Sequence, residues 1–253
     1  MCSLDAGRFR KLADGARELD DDVFFARRGG VGAGALLPAI EAAGRRRLLF
    51  PVDGADVATA LQLPLLAAEL CPRCALPAPA GAVCGRCLAE PPAYDATIAV
   101  LAYDFPADAL VHALKFGGEL ALASFLGKLL LTKVSGRSVD RVVPVPLSAA
   151  RLRRRGYNQA AEIARHVAPG KLDVDLCTRP LEAPAQVELP WDERRRNVRG
   201  AFRCRRALGG ASVAVVDDVM TTGATLDELA RTLKRAGAAR VVNWVVARTL
   251  PPS

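Results

Sequence analysis

The apolar residues of this chain fall into short runs and longer periodic stretches. Short apolar runs predict strands at residues 94–103, 139–147, 213–216 and 240–247. The run at residues 213–216 does not alternate with polar positions, which is typical of a strand buried on both faces of a parallel sheet. Between these runs, helical spacing predicts helices over residues 107–116, 120–131, 156–167 and 224–236. Weaker patterns predict a helix over residues 58–70 and a strand over residues 171–176. The alternation predicts an α/β fold with a parallel-sheet core and flanking helices.

The strand at residues 213–216 continues into two acids and a loop, in the order VAVVDDVMTTGAT. Asp217 and Asp218 fall at the carboxyl end of the strand, where open α/β sheets bind their ligands. A tight loop then enters a helix, so its backbone N–H groups, its hydroxyls and the helix dipole favour a phosphate. This loop consists of Thr221, Thr222, Gly223, Ala224 and Thr225. Carboxylates repel phosphate and instead suit a sugar diol or a cation. The stretch therefore predicts a site for a 5-phosphoribosyl group.

A second loop with phosphate-binding chemistry follows the strand predicted at residues 139–147. That loop consists of Pro144, Val145, Pro146 and Leu147, and it is followed by four arginines, Arg151, Arg153, Arg154 and Arg155. Guanidinium groups bind phosphate oxygens in bidentate fashion, so this cluster is suited to a polyanion such as pyrophosphate. A basic face in contact with solvent is the alternative interpretation.

Four cysteines form two C-x-x-C pairs, Cys71 with Cys74 and Cys84 with Cys87. Four thiolates from two such turns surround Zn²⁺ tetrahedrally and leave no open coordination position, so the predicted zinc site is structural. The other cysteines, Cys2, Cys177 and Cys204, have no partner at useful spacing and are predicted to be ordinary thiols.

A long polar stretch with several prolines separates the strand predicted at residues 171–176 from the acidic motif. Residues 179–206 are too many for a plain connection and predict a mobile lid that closes over the site; a surface loop is the alternative. The polar residues proposed for the lid are Gln186, Arg194 and Asn197. On the helix at residues 107–116, spacing alone does not single out His112 or Lys115.

Composition adds a preference for anionic partners. The chain of 253 residues has 35 basic and 27 acidic side chains, a formal net charge of +8. No apolar run reaches the roughly 18 residues of a membrane span, and the first residues do not resemble a signal peptide. We therefore expect a cytoplasmic protein without a membrane partner, whose cysteines bind metal rather than form disulfides. Three regions are predicted: an N-terminal extension at residues 1–60, a four-cysteine region at 61–92 and the α/β domain at 93–250.

The order of these motifs resembles the ComF family, the competence-associated, GntX-like proteins related to phosphoribosyltransferases. The resemblance covers residues 61–248 and rests on the paired C-x-x-C turns, ALKFGG, PVPLSAARLRRRGYNQA, the segment from Gln186 to Phe202, and VVDDVMTTGAT. It implies a type I phosphoribosyltransferase fold preceded by a small zinc ribbon. It also implies that Asp217 and Asp218 bind the ribose hydroxyls of phosphoribosyl diphosphate (PRPP), while residues 221–225 bind its 5′-phosphate. The loop at residues 144–147, with Arg151 and Arg155, would face the pyrophosphate and Mg²⁺.

The resemblance implies two functions of different classes. One is Mg²⁺-dependent transfer of phosphoribose to or from a nitrogenous base that the sequence does not identify. The other is a non-catalytic PRPP- or nucleotide-binding accessory in natural transformation, with a helicase-like partner. Leu181 and Ala183 stand where the family tends to place a basic residue and a threonine, so the lid is the feature that separates the two. Direct binding of single-stranded DNA ranks third, because only 5% of the residues are aromatic and stacking platforms need aromatic side chains.

Overall fold

A computed structural model describes residues 63–66, 69–180 and 198–251. Its core is a parallel sheet of four strands, β1 (Ala96–Ala102), β2 (Arg141–Pro144), β5 (Ser212–Met220) and β6 (Arg240–Arg248). The strand order is β1-β6-β5-β2. Two short strands, β3 (Cys177–Thr178) and β4 (Arg203–Cys204), form a separate antiparallel pair. The parallel sheet confirms the predicted α/β class.

Helices cover both faces of the sheet. They are α1 (Gly85–Ala89), α2 (Ala107–Phe116), α3 (Ala121–Val134), α4 (Ala149–Arg155), α5 (Gln159–Val167) and α6 (Ala224–Arg235). Single 3₁₀ turns lie at Pro79–Gly81 and Pro169–Lys171. On one face, α2, α3 and α5 pack against the sheet through buried side chains such as Leu110, Leu126 and Ile163. On the other face, α6 and the four-cysteine region pack together, with Leu229 and Cys74 in the same apolar cluster.

Strand β5 shows why its apolar run does not alternate. Successive side chains of a strand point to opposite faces. Ala214 and Val216 belong to the core under α2, α3 and α5, whereas Val213 and Val215 belong to the core under α6. All four are fully buried because both faces of the sheet are covered.

Helices α3 and α5 pack unusually closely at Gly127. A methyl group on this residue would lie 2.7 Å from the Cβ of His166 and 2.8 Å from the carbonyl oxygen of Ile163. The glycine, which costs an isolated helix about 1 kcal/mol relative to alanine, is therefore explained by the close approach of the two helices.

Two predicted elements are wrong, and several short ones were missed. Residues 171–176 form no strand: Leu172 makes an isolated bridge to Val142, and the chain then turns away. Within the residues described between 58 and 70, the predicted helix is replaced by extended backbone, because Leu65 bridges Leu101 at the open edge of β1. Helix α4, which contains the arginines, was not predicted, and neither were α1, β3 and β4. Strand β4 forms within residues 179–206, the stretch predicted as a lid, because its backbone pairs with β3.

The remaining elements agree with the predicted ones within a few residues, except that β2 is shorter and that β5 extends beyond its two acids. The N-terminal extension at residues 1–60 and the lid residues Gln186, Arg194 and Asn197 lie outside the described residues. The boundaries of the three predicted regions stay predictions. Across the described ranges, no helix combines the length and the apolar character needed to cross a membrane.

Candidate functional site

The loop at residues 144–147 begins beside the acidic motif at the carboxyl edge of the sheet. Strands β2 and β5 are neighbours, with Pro144 opposite Val216. The backbone N–H of Val145 donates to the carbonyl oxygen of Val216 at 2.9 Å, one residue before Asp217. Pro144, Val145 and Pro146 are buried and Leu147 is half-buried. The fold thus brings the loop at residues 144–147 next to the acidic motif.

The two acids of the motif occupy different environments. Asp217 is half-buried, and its Oδ1 accepts a hydrogen bond from the backbone N–H of Asp218 at 3.0 Å. Asp218 is only 3% exposed, and its Oδ1 accepts from the N–H of Val219 at 2.7 Å. Because neighbouring side chains of a strand point to opposite faces, the Asp218 carboxylate points toward the α2 side of the sheet. Asp217 is therefore the more accessible carboxylate.

A buried lysine lies against the second acid. The Nζ of Lys115, in the last turn of α2, is 3.2 Å from the Oδ2 of Asp218, and both side chains are buried. The contact is a buried ion pair. Sequence reasoning did not select Lys115. The sequence feature that could have identified Lys115 is its position next to Leu114, on the apolar side of α2 that packs against the sheet.

The loop at residues 221–225, called the phosphate loop below, turns directly into α6. Gly223 has a left-handed backbone with φ of +85°, and it is the residue that precedes the helix. A methyl group there would lie 2.7 Å from the Cε of Met220 and 3.1 Å from the hydroxyl of Tyr94. The Oγ1 of Thr222 accepts from the N–H of Ala224 at 3.3 Å. The left-handed backbone favours glycine at this position, and the resulting turn is suited to an anion at the start of α6.

The arginines predicted to face pyrophosphate lie on α4, immediately after the loop at residues 144–147. Arg151 and Arg155 are half-buried, whereas Arg153 and Arg154 are exposed. The Nη1 of Arg155 donates to the Oε1 of Gln159 at 2.9 Å, and its guanidinium lies 5.0 Å from the centre of the Phe116 ring. These contacts fix the direction of Arg155 at the edge of the sheet.

Asn158, which the sequence analysis did not identify, connects the start of α5 to the loop at residues 144–147. The Nδ2 of Asn158 donates to the carbonyl oxygen of Val145 at 3.0 Å. Its Oδ1 accepts from the N–H groups of Ala160 and Ala161 at the start of α5. Asparagine is a favoured residue at this helix position. Asn158 therefore holds the loop after β2 against the beginning of α5.

The four predicted metal ligands converge. The sulfur atoms of Cys71, Cys74, Cys84 and Cys87 all lie within 4.8 Å of one another. The Sγ atoms of Cys74 and Cys84 are 3.6 Å apart, close to the roughly 3.8 Å between sulfurs bound tetrahedrally to Zn²⁺. The N–H of Cys84 also donates to the Sγ of Cys71 at 3.4 Å. Residues 71–87, called the metal segment below, therefore fit a closed structural zinc site.

The protonation of these thiols depends on their surroundings. Burial alone would raise the pKa of Cys71, but hydrogen bonds from the backbone N–H groups of Cys84 and Cys74 lower the pKa to about 7. Burial, together with the neighbouring thiols, raises the pKa of Cys87 above its ordinary value. Metal binding to a thiol requires its deprotonation, so zinc uptake at this site releases protons.

A buried arginine that the sequence interpretation also missed ends β6. Arg248 is 1% exposed, and burial lowers the pKa of its guanidinium. It donates to backbone carbonyl oxygens of both the metal segment and the residues beside the phosphate loop. An arginine remains charged even when its pKa is lowered, so this side chain is a buried cation.

The remaining cysteines differ from the expectation in one respect. Cys177 and Cys204 are free thiols, as predicted, but they lie opposite one another in the β3–β4 pair. Burial raises the pKa of the Cys177 thiol, and the neighbouring Cys204 thiol raises it further. Cys2 lies outside the described residues.

Comparison with known proteins finds several relatives. The chain is 38% identical over 163 residues to DNA utilization protein YhgH of Escherichia coli O157:H7, and 40% identical to that of Salmonella typhi; each match covers 60% of this chain and 72% of the relative. It is 30% identical over 170 residues to Competence protein F of Haemophilus influenzae, covering 62% of this chain and 74% of that protein. No protein-family model matches the chain. A solved structure, that of TT1426 from Thermus thermophilus, has 23% identity over 52% of this chain and 84% of that one; its TM-score of 0.30 supports no inference.

Proposed function

This chain belongs to the competence protein F (ComF) family, and from that premise we propose that it binds PRPP with Mg²⁺ and transfers phosphoribose to or from a nitrogenous base. The observation that carries the proposal is the junction of β2 and β5. There the N–H of Val145 bonds to Val216, so the loop at residues 144–147 begins beside the two acids. The phosphate loop follows β5 into α6. A sugar-binding acid thus lies between two segments suited to phosphate.

Each part of PRPP has a counterpart at this edge. The half-buried Asp217 accepts hydrogen bonds from the ribose hydroxyls, with Asp218 beside it in the motif. The N–H groups and hydroxyls of the phosphate loop bind the 5′-phosphate. Lys115 balances the charge of the buried Asp218, so the motif can keep a second carboxylate behind Asp217 without leaving a buried charge unpaired.

The pyrophosphate end faces the loop at residues 144–147, together with Arg151 and Arg155. Mg²⁺ prefers oxygen ligands and keeps several waters, which fits an accessible carboxylate such as Asp217 and the phosphate oxygens of the ligand. When bound, the metal neutralises charge on the departing pyrophosphate. The sugar becomes cationic as the bond to pyrophosphate breaks, and the carboxylate of Asp217 stabilises that charge. Displacement by a ring nitrogen then needs no nucleophile from the protein.

A second candidate function is a PRPP- or nucleotide-binding accessory without turnover. The names of the relatives, DNA utilization protein and Competence protein F, refer to the use of DNA and not to group transfer. We propose a role in competence and DNA utilization under either function, with a helicase-like protein as a candidate partner.

The test is calorimetric titration of PRPP with Mg²⁺ into the wild type and into Asp217→Asn/Asp218→Asn. The matched control is Asp140→Asn, which changes an exposed carboxylate near the amino end of β5. The wild type and the control should bind PRPP alike. Loss of charged hydrogen-bond acceptors should weaken binding by the double variant at least ~100-fold, since each such bond contributes about 1.5–3 kcal/mol.

Pyrophosphate release, assayed on the same proteins with a panel of bases, separates the two functions. Release by the wild type and not by the double variant supports transfer. Binding without release for any base favours the accessory. Absence of PRPP binding by the wild type would refute both.

A further inference from the structure

Arg248 joins the metal segment to the strand end that leads into the phosphate loop. Its Nε donates to the carbonyl oxygen of Cys74 at 2.9 Å, within the first C-x-x-C pair. Its Nη1 donates to the carbonyl oxygen of Met220 at 2.9 Å and also to that of Thr221. A single buried side chain therefore contacts a metal-binding turn and the first peptide groups of the phosphate loop.

A second arginine makes a similar connection from the other metal-binding turn. The Nη2 of Arg86, between Cys84 and Cys87, donates to the carbonyl oxygen of Thr222 at 3.0 Å. Nearby, the N–H of Ala93 donates to the Oδ1 of Asp227 in the first turn of α6, at 2.6 Å. The metal segment and the residues just after it thus contact the loop and the helix that follows it.

These contacts fix the direction of the backbone groups that would bind phosphate. In a trans peptide, the carbonyl of one residue and the N–H of the next point in opposite directions. The carbonyls of Met220, Thr221 and Thr222 point toward the two arginines. The N–H groups of Thr221, Thr222 and Gly223 consequently point away from the arginines. Successive N–H groups directed to one side form a concave site for an anion.

The charge of the metal site explains why zinc should matter to this arrangement. Removing a cation from water is costly unless a negative group lies close by. Four thiolates around a divalent metal leave a net negative charge. This charge lies beside Arg248, which donates to the carbonyl oxygen of the metal ligand Cys74. Zinc also fixes the backbone of the turn that supplies this carbonyl. Loss of the metal would therefore free the turn that holds this acceptor.

Resting on the proposed PRPP site, we propose that the metal segment supports the phosphate loop, and that Arg248 is the positioning residue through which zinc binding sets the affinity for PRPP. Under this proposal the four-cysteine region is part of the ligand site. Arg86 contributes in the same direction, with a smaller effect because its side chain is exposed.

The first experiment measures PRPP affinity, zinc content and melting temperature for four variants. Arg248→Met removes the bridge and Arg248→Lys keeps the charge without the forked donor. Arg86→Met removes the exposed contact. Arg240→Met is the matched control, since Arg240 is exposed at the opposite end of the same strand.

We expect PRPP affinity to fall at least ~10-fold in Arg248→Met and ~3–10-fold in Arg86→Met, and to change less than ~2-fold in Arg240→Met. Arg248→Lys should melt closer to the wild type than Arg248→Met does and still bind PRPP weakly. Zinc content should stay at the wild-type level in Arg86→Met. Because Arg86 is exposed, that variant remains informative if Arg248→Met does not fold. Wild-type affinity in Arg86→Met and Arg248→Lys would overturn the proposal.

The second experiment needs no ligand, so it separates this proposal from the proposed function. Amide hydrogen exchange is compared for the peptide covering residues 219–226 in the zinc-loaded wild type, in chelator-treated wild type and in Arg86→Met. The proposal predicts faster exchange in the last two. Unchanged exchange overturns the support of the loop, whatever the PRPP result. If exchange changes but the wild type does not bind PRPP, the proposed function fails, and with it the part of the proposal that concerns affinity.

Discussion

The two faces of the sheet are covered in different ways. On one face, α2, α3 and α5 pack through fully buried apolar side chains and approach closely at Gly127. On the other, α6 shares the surface with the metal segment, whose buried residues are three of its cysteines and two alanines. The first face is stabilised by burial of apolar area. The second is also stabilised by apolar burial where α6 packs, through side chains such as Leu229 and Leu233. Where the metal segment covers it, however, the contacts are a metal site and hydrogen bonds to backbone carbonyls.

This difference bears on the candidate site, because each face contributes to it. The apolar face supplies Lys115, which lies against Asp218. The face covered by the metal segment supplies Arg86, which contacts the phosphate loop directly. It also supplies the turn containing Cys74, which is connected to that loop through Arg248. Substitutions in the core of the first face should therefore lower the stability of the whole protein. Substitutions in the metal segment should also change the conformation of the phosphate loop.

The largest effect is expected from removing a metal ligand. Cys74→Ser should lose zinc and lower the melting temperature more than any single apolar truncation, because a structural zinc site contributes about 10 kcal/mol or more in small zinc domains. Metal analysis and thermal unfolding measure both quantities. Cys204→Ser, a half-buried thiol outside the cluster, is the control and should retain zinc. Wild-type protein purified without zinc would refute the metal site.

A truncation on the apolar face should have the next largest effect. Leu126 of α3 is fully buried, so Leu126→Ala should cost about 2–5 kcal/mol of unfolding free energy, or roughly 5–15 °C in melting temperature. Leu131→Ala on the same helix is the control, because this side chain is 38% exposed. Zinc content should stay unchanged in both. Equal effects of the two substitutions would contradict the assignment of this core.

The smallest effect concerns the pH dependence of stability, where an aspartate from each face should act with opposite sign. For Asp95, burial alone would raise the pKa, but Lys234 of α6 and the N–H of Val241 lower it. Its contribution is present above the unfolded pKa of about 3.9 and is lost as the pH falls toward the lower folded value. For Asp108 of α2, burial raises the pKa, so its contribution is present at low pH and is lost as the pH rises through the folded value.

Urea unfolding between about pH 3 and pH 6 measures these slopes. Asp95→Asn should lose less stability on acidification than the wild type, and Asp108→Asn should lose more. If both variants change the wild-type slope in the same direction, the assigned pKa directions are contradicted.

Much of the fold could be predicted from local patterns. The apolar runs and helical spacing indicated the parallel sheet, and α2 begins and ends at the residues expected. The cysteine spacing predicted the cluster, because two turns of this kind suffice to bring four sulfurs together. The secondary-structure predictions were wrong where the backbone pairs with a segment that is distant in the sequence. Residues 63–66 have an apolar composition suited to a helix, but they pair with the open edge of β1.

The sequence by itself determined the types of chemistry: acids followed by a glycine turn, an arginine cluster and four thiols. Only the tertiary structure decided which groups meet. Arg248 contacts Cys74 across 174 positions of the chain. Lys115 and Asp218 meet because α2 packs on the face toward which Asp218 points. The physical reason is that periodicity reports whether a side chain is buried, whereas its partner depends on the order of the strands and on which helix covers them.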